Sequence, residues 1–352
     1  MKRNNWPETL LAWFDGSRRA LPWREDHPRN PYHVWVSEIM LQQTRTETVK
    51  GYFQRWMEQF PTIRDLAQAP EEQVLRAWQG LGYYSRARNL HKAARQVMAE
   101  WGGQLPRERK ALGSLAGIGA YTVGAILSMA FGEKIPAVDG NLLRVLSRLY
   151  GVEEDISGTQ GKKTITALAE EAIPGARPGD FNEALMDLGA EVCIPRHPRC
   201  EACPLTAFCQ AWKEGKTEIL PVKKPKAPQK ELAAACGLVV REGRYLFHKR
   251  PAKGMLASMW EFPMVLEPGA EKARSSLVKL LETEAGPAVW QHRHVFTHQI
   301  WNMTAYVMER AEVPGGEWSW FSPEEWEKVP LAGPHAKLAD WLKKTVDRNE
   351  KV

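Results

Sequence analysis

Apolar positions recur at helical spacing through the first 216 residues, and at strand spacing only after a polar break near the middle of the chain. Residues 8–19 predict a helix that packs through Leu10, Leu11, Trp13 and Phe14, and Leu21-Pro-Trp-Arg24 breaks it. Residues 32–43 read as a strongly apolar helix interrupted only by Ser37 and Glu38. Thr44 and Glu47 have capping-box spacing for a helix to about residue 60, and Pro61 and Pro70 punctuate two short helices. Ser85 is expected to cap residues 86–101, whose stripe is Leu90, Ala93, Ala94 and Val97. Leu115-Ala-Gly-Ile-Gly-Ala120 is a tight turn feeding a helix over 121–131, and Ala137-Val-Asp-Gly-Asn141 opens the next. Asp180 is placed to cap residues 181–192.

The break is Leu220-Pro-Val-Lys-Lys-Pro-Lys-Ala-Pro-Gln-Lys230, whose prolines and lysines predict an extended, solvated linker. Beyond it, residues 232–240 and 245–249 read as strands around the turn Arg241-Glu-Gly-Arg244. Residues 272–284 read as helix, 294–308 as one or two strands, Ser322-Pro-Glu-Glu325 as a helix start, and 333–346 as a last helix. The expected organisation is an all-α region over 1–216, a linker over 217–231 and an α+β domain over 232–352. No internal repeat is present.

The 352 residues allow two or three domains, and 43% hydrophobic residues supply their cores. No apolar run reaches about eighteen residues, so no membrane span is expected. The N-terminal apolar run is too short for a secretory signal, which makes a cytoplasmic location the expectation. The net charge of +6 favours a polyanionic partner.

Four places carry chemistry. Gly117 and Gly119 before a helix start can cradle a phosphate, or form a plain capping turn. Glu38 sits among apolar neighbours; periodicity alone favours a narrow exposed face, whereas burial would raise its pKa as a general acid requires. Asp139 is either an N-cap or, with Glu38, one of two carboxylates on separate elements, a pairing that suits cleavage of a glycosidic bond. Cys193, Cys200, Cys203 and Cys209 have the spacing C-x6-C-x2-C-x5-C. Clustered thiols in a cytosolic setting read as metal ligands, with zinc and an iron–sulfur cluster both open. Cys236 reads as a core residue.

The stretch Leu115 to Arg148 with its VDGN resembles the helix-hairpin-helix signature of the DNA glycosylase superfamily that includes endonuclease III. VSEIMLQQT, the cysteine spacing and Gly254-Met-Leu-Ala-Ser-Met-Trp-Glu-Phe-Pro263 extend the resemblance to the MutY family of adenine glycosylases over nearly the whole chain. The resemblance implies a helix-hairpin-helix glycosylase fold with a cluster loop at 193–209, followed by a MutT-like (Nudix-like) domain. It makes Glu38 the catalytic acid and Asp139 the charge facing the sugar cation, with Tyr121 and Asn141 hydrogen-bonding around Asp139. Tyr121 stands where lyase members have lysine, so a monofunctional enzyme is implied. The four cysteines would hold a structural four-iron four-sulfur (4Fe-4S) cluster, and Arg196, His197 and Arg199 would meet DNA phosphates. Trp23, Arg24 and Glu183 would line the adenine pocket, while Gln43 and Tyr83 would fill the gap left by a flipped base. Phe296-Thr-His298 replaces the family's Phe-Ser-His, so Thr297 and His298 would read the oxidised guanine. The Nudix helix lacks its paired acids, although Glu282 and Glu284 remain, so pyrophosphate hydrolysis is not expected. The implied partner is duplex DNA with adenine opposite 8-oxoguanine or guanine, bound by a monomer.

Overall fold

The computed structural model describes residues 5–224, 228–309, 313 and 315–349. The chain forms two compact units, one from residues 1–69 and 89–225, the other from 70–88 and 226–352.

The helices before the linker are, in chain order, α1 (Trp6–Ser17), α2 (Pro31–Leu41), α3 (Thr46–Gln59), α4 (Ile63–Gln68), α5 (Glu71–Ala77) and α6 (Ser85–Trp101). They continue as α7 (Arg109–Gly113), α8 (Ala120–Phe131), α9 (Gly140–Tyr150), α10 (Thr159–Ala172), α11 (Pro178–Glu191) and α12 (Gln210–Lys213). The first unit has a core in which Trp6, Leu10 and Phe14 of α1 meet Leu142, Val145 and Leu146 of α9 and Phe181, Leu185 and Leu188 of α11. Cys193, Cys203 and Cys209 pack against the same core.

Three local expectations change. The capping box is not at Thr44: α3 starts at Thr46 with no side-chain cap, and the Thr44 hydroxyl turns back to the Gln42 carbonyl. The box forms one helix later, where Thr62 and Asp65 cap α4 reciprocally. Asp180 lies inside the first turn of α11, because Pro178 already supplies a helical φ; it pairs with Arg177 instead of capping. Helix α10 was not foreseen.

In the second unit, β1 (Lys230–Arg241) and β2 (Arg244–Lys249) form the expected hairpin. They are followed by β3 (Trp260–Glu261), β4 (Met264–Glu267), α13 (Ala270–Leu281), β5 (Ala285–Val295), β6 (Gln299–Met308), β7 (Trp318–Phe321) and α14 (Gly333–Asn349). The sheet order is β3-β2-β1-β6-β5, with β4 on β1 and β7 on β2. Only β1 and β6 run parallel among the described pairs. Alternation along β1 sends Ala234, Cys236 and Leu238 to the core under α14, and Ala235 and Val239 to the core under α13. Cys236 is thus a core residue, as its setting implied. Ser322 opens a turn, and the helical residues that follow, Trp326–Lys328, form a single 3-10 turn.

The linker stretch begins docked. Leu220 is buried, its carbonyl accepts from Arg148, and Val222 accepts from the Ile156 amide. Residues 225–227 of that stretch lie outside the described residues.

Candidate active site

Helix α2 buries Tyr32, Val34, Trp35, Val36, Ser37, Glu38, Ile39 and Met40, so it has almost no solvent face. Glu38 therefore does not lie on the exposed stripe that periodicity favoured. Its carboxylate faces a cavity of about 600 Å³, shared with Trp23, Arg24, Tyr121, Asp139, Asn141 and Glu183. Burial pushes the Glu38 carboxyl up to about 7. A hydrogen bond from the Tyr121 hydroxyl pulls it back, Asp139 and Glu183 add upward pressure, and Arg24 opposes them. A carboxylic acid poised near neutrality is what proton delivery to a leaving group needs.

Asp139 is both N-cap and pocket residue. Its Oδ1 accepts from the Leu142 amide at 2.7 Å, and its Oδ2 from Asn141 Nδ2 at 2.8 Å. Burial raises its carboxyl, and these two bonds hold it down at the positive end of α9. Asn141 occupies its expected place. Tyr121 does not: it was expected at Asp139, but its hydroxyl reaches Glu38, because α8 packs directly on α2. Asn141 Oδ1 in turn accepts from Arg144 Nη2 at 2.9 Å, and the same guanidinium donates to the Gly189 and Cys193 carbonyls. Gly189 is required here, since a Cβ would come within 2.7 Å of Asn141. The VDGN acid, α11 and the cysteine loop are thereby tied together by Arg144.

The Tyr121 bond gives a prediction about pH. Removing it with Tyr121→Phe takes away a contact that lowers the Glu38 pKa, so Glu38 stays protonated to higher pH. Activity that depends on protonated Glu38 should then fall off at higher pH than in the unaltered chain; an unmoved or acid-shifted limb would contradict this geometry.

The opposite wall is an ion network on α11. Arg24 grips Asp187 with Nη1 at 2.7 Å and Nη2 at 3.1 Å, and places Nε 3.1 Å from Glu183. Arg29 reaches Glu183 at 2.9 Å, Arg18 reaches it at 3.3 Å, and Arg19 pairs with Asp187. Burial raises Glu183 while Arg24 and Arg29 lower it. Breaking such a buried set from one side costs about 3–5 kcal/mol. Asp187, Arg29 and Arg144 were missed in the sequence. The signal was there for Asp187, four residues after Glu183 and so on the same face of one helix.

Gln43 and Tyr83 share an unusual backbone, with φ of 58° and 48°, and both are exposed. In the second unit the Tyr83 hydroxyl hydrogen-bonds the Thr297 hydroxyl, and His298 is exposed beside it. In the first unit Gly117 has φ 76°, and a Cβ there would come within 2.6 Å of Asn89 Cβ. Gly119 is the N-cap of α8. Arg196 and Arg199 are exposed, and His197 leans on Glu218 at 3.4 Å.

The four cysteines are free thiols lining one pocket with Arg148, whose Nη1 lies 3.4 Å from Cys193 Sγ. Among the described residues no three His, Cys, Asp or Glu side chains gather to hold a single metal ion. The donor set is four soft thiols with no competing carboxylate or imidazole in the lining, and it fits a sulfur-ligated polynuclear group.

Residues 36–174 match the HhH-GPD superfamily base excision DNA repair protein family, and residues 234–341 match the NUDIX domain. Human adenine DNA glycosylase is 38% identical over 350 residues, spanning 82% of this chain and 64% of its own length. The mouse enzyme is 36% identical over 379 residues, 90% of this chain and 73% of its own. The chain belongs to the adenine DNA glycosylase family. A thermostable thymine-DNA glycosylase superposes with a TM-score of 0.54 at 32% identity, covering 59% of this chain and 95% of that chain. Endonuclease III, trapped covalently on DNA, superposes with a TM-score of 0.51 at 24% identity, over 59% of this chain and 94% of its own, and shares the fold.

Membership in the adenine DNA glycosylase family accounts for the two-part architecture, a helical glycosylase fold followed by a Nudix-like sheet domain. No helix among the described residues is long and apolar enough to cross a membrane.

Proposed function

We propose that this adenine glycosylase hydrolyses the N-glycosidic bond of adenine mispaired with 8-oxoguanine or guanine in duplex DNA, without cutting the strand. The observation that carries the reading is Glu38, a buried carboxyl held near 7, across one cavity from Asp139 at a helix N-terminus. Adenine is a poor leaving group as an anion. Glu38 protonates its imidazole-ring nitrogen as the glycosidic bond breaks, Asp139 stabilises the positive charge that develops on the sugar, and water adds to that sugar carbon and gives its proton back to the Glu38 carboxylate. Arg24, Glu183 and Trp23 shape the wall against which the extruded base rests. Gln43 and Tyr83 fill the duplex, and Gly117, Gly119, Arg196 and Arg199 engage phosphates. With tyrosine at 121, that position offers no amine for an imine with the sugar.

Cys193, Cys200, Cys203 and Cys209 would hold a four-iron four-sulfur cluster, whose role in a hydrolysis is to fix the loop that carries Arg196 and Arg199. The purified chain should be brown with about four irons. One zinc and no iron would overturn the cluster but leave the glycosylase reading intact.

Specificity for the oxidised base is assigned to Thr297 and His298, next to Tyr83. A side-chain contact to a base is worth about 1–3 kcal/mol of discrimination. Thr297→Ala with His298→Ala should therefore shrink the preference for A:8-oxoguanine over A:G by roughly 5- to 150-fold. Excision rates on the two mispairs test this, and an unchanged ratio would place the reading elsewhere.

A further inference from the structure

A cavity of about 780 Å³ lies within the second unit, bounded by residues 80–88, the loop after β5 and the start of α14. Its walls carry Arg88, Lys337, His294 and His298, and no aspartate or glutamate. Lys337 Nζ lies 3.2 Å from His292 Nε2, and Arg88 donates to the Ala257 carbonyl. Both partners are uncharged acceptors, so the Lys337 charge has no carboxylate against it at the cavity, while Arg88 also feels Glu71 outside the lining. Burial, then Lys337, pushes His294 down to about 4, so its imidazole is neutral at physiological pH. Its Nδ1 is buried without a hydrogen-bond partner. The paired hydroxyls of Tyr83 and Thr297 stand on the same cavity, as do the apolar walls of Met255 and Phe296.

The exposed Lys337 ammonium, with Arg88 across a concave, partly apolar lining that carries no carboxylate, calls for an anion, and hydroxyls with an apolar wall beside them suit a nucleotide. We propose that this cavity is a nucleotide-phosphate site, in which Lys337 and Arg88 hold the phosphate of the nucleotide that Tyr83 and Thr297 meet. The proposal rests on the reading that this unit meets the base opposite adenine. The same chemistry is offered by a phosphate of the lesion strand and by a free nucleotide.

Lys337 is exposed, so Lys337→Gln should leave the fold intact, which circular dichroism verifies. In the full chain this variant should bind an A:8-oxoguanine duplex about 3- to 10-fold more weakly at low salt. The logarithmic salt dependence should be shallower by about 0.9, so that the gap closes about 3-fold between about 50 and about 200 mM salt. Lys337→Arg should restore most of the loss. Methylphosphonate linkages, placed one at a time on either side of the oxidised guanine, should include one at which the variant and the unaltered chain bind equally. The preference for A:8-oxoguanine over A:G should not move, because both mispairs carry the phosphate. That separates this site from base reading: an unchanged ratio in the Thr297 and His298 variant would end the base-reading assignment while leaving the Lys337 result standing. Titration with free 8-oxo-2′-deoxyguanosine monophosphate assigns the source. Binding lost in Lys337→Gln shows that the cavity also takes free nucleotide, and no binding assigns it to the strand. Equal affinities and salt slopes for the variant and the unaltered chain, or a deficit that persists at every neutral linkage, would overturn the proposal.

Discussion

Replacing Glu38 with glutamine is expected to slow adenine release by about 10²–10⁴-fold while leaving duplex affinity nearly unchanged, because only the transferable proton is lost. Glutamine has nearly the shape of glutamate, and the Tyr121 hydroxyl can still donate to its amide oxygen. A second readout follows from the raised pKa. The folded chain holds the Glu38 proton up to about 7, whereas an unfolded glutamate releases it near 4.3. The stability linked to that proton is therefore complete below about pH 4 and is lost as pH rises through about 7. Glu38→Gln has no such proton to lose. Above pH 7 it should unfold at higher denaturant than the unaltered chain, by on the order of 1–3 kcal/mol. Near-normal single-turnover cleavage would remove Glu38 from its role, and equal stability at high pH would contradict its burial as a carboxyl.

Asp139→Asn isolates charge from structure. Asparagine caps helices as well as aspartate does, so α9 should keep its start and its bond from the Leu142 amide. What disappears is the negative charge proposed to face the sugar cation, together with the bond from Asn141 Nδ2, which would meet an NH2 group where Oδ2 had been. Preorganised electrostatic contacts of this kind are worth about 2.7–4 kcal/mol, or 10²–10³ in rate. Excision by Asp139→Asn should fall by at least that factor, while stability falls only by the lost Asn141 bond, about 1–3 kcal/mol. A variant within a few-fold of the unaltered chain would show that the charge is dispensable. A larger loss of stability would mean that capping, not charge, is what Asp139 supplies.

Much of this was legible because the residues involved do local work. Asp139 opens α9 where the VDGN spacing put it, and the Gly-rich turn before α8 carries a positive φ at Gly117. The alternation after the linker gave the β1–β2 hairpin directly. Misreadings arose where tertiary packing decides. Periodicity put Glu38 on an exposed stripe, because one helix cannot reveal that neighbours cover every face. Tyr121 was assigned to Asp139 by position along the chain, yet α8 delivers its hydroxyl to α2. The Arg24–Asp187–Glu183–Arg29 network joins residues more than 150 positions apart; the i,i+4 spacing shows that Glu183 and Asp187 share a face, but not that Arg24 and Arg29 meet it. Residues 70–88 group with the part of the chain beyond the linker, a long-range association that sequence spacing does not encode.

The central claim is acid-assisted release of adenine without strand cleavage. It is tested by single-turnover incubation of the full chain with an A:8-oxoguanine duplex labelled on the adenine strand, half of each time point being treated with alkali. Cleaved strand should accumulate with time only in the alkali-treated half, and about 10²–10⁴-fold more slowly in that half for Glu38→Gln. Strand breaks of equal yield without alkali would make the protein a lyase. No cleavage in either half, in a folded chain that binds the duplex, would contradict the assignment of Glu38 and Asp139 to glycosidic chemistry.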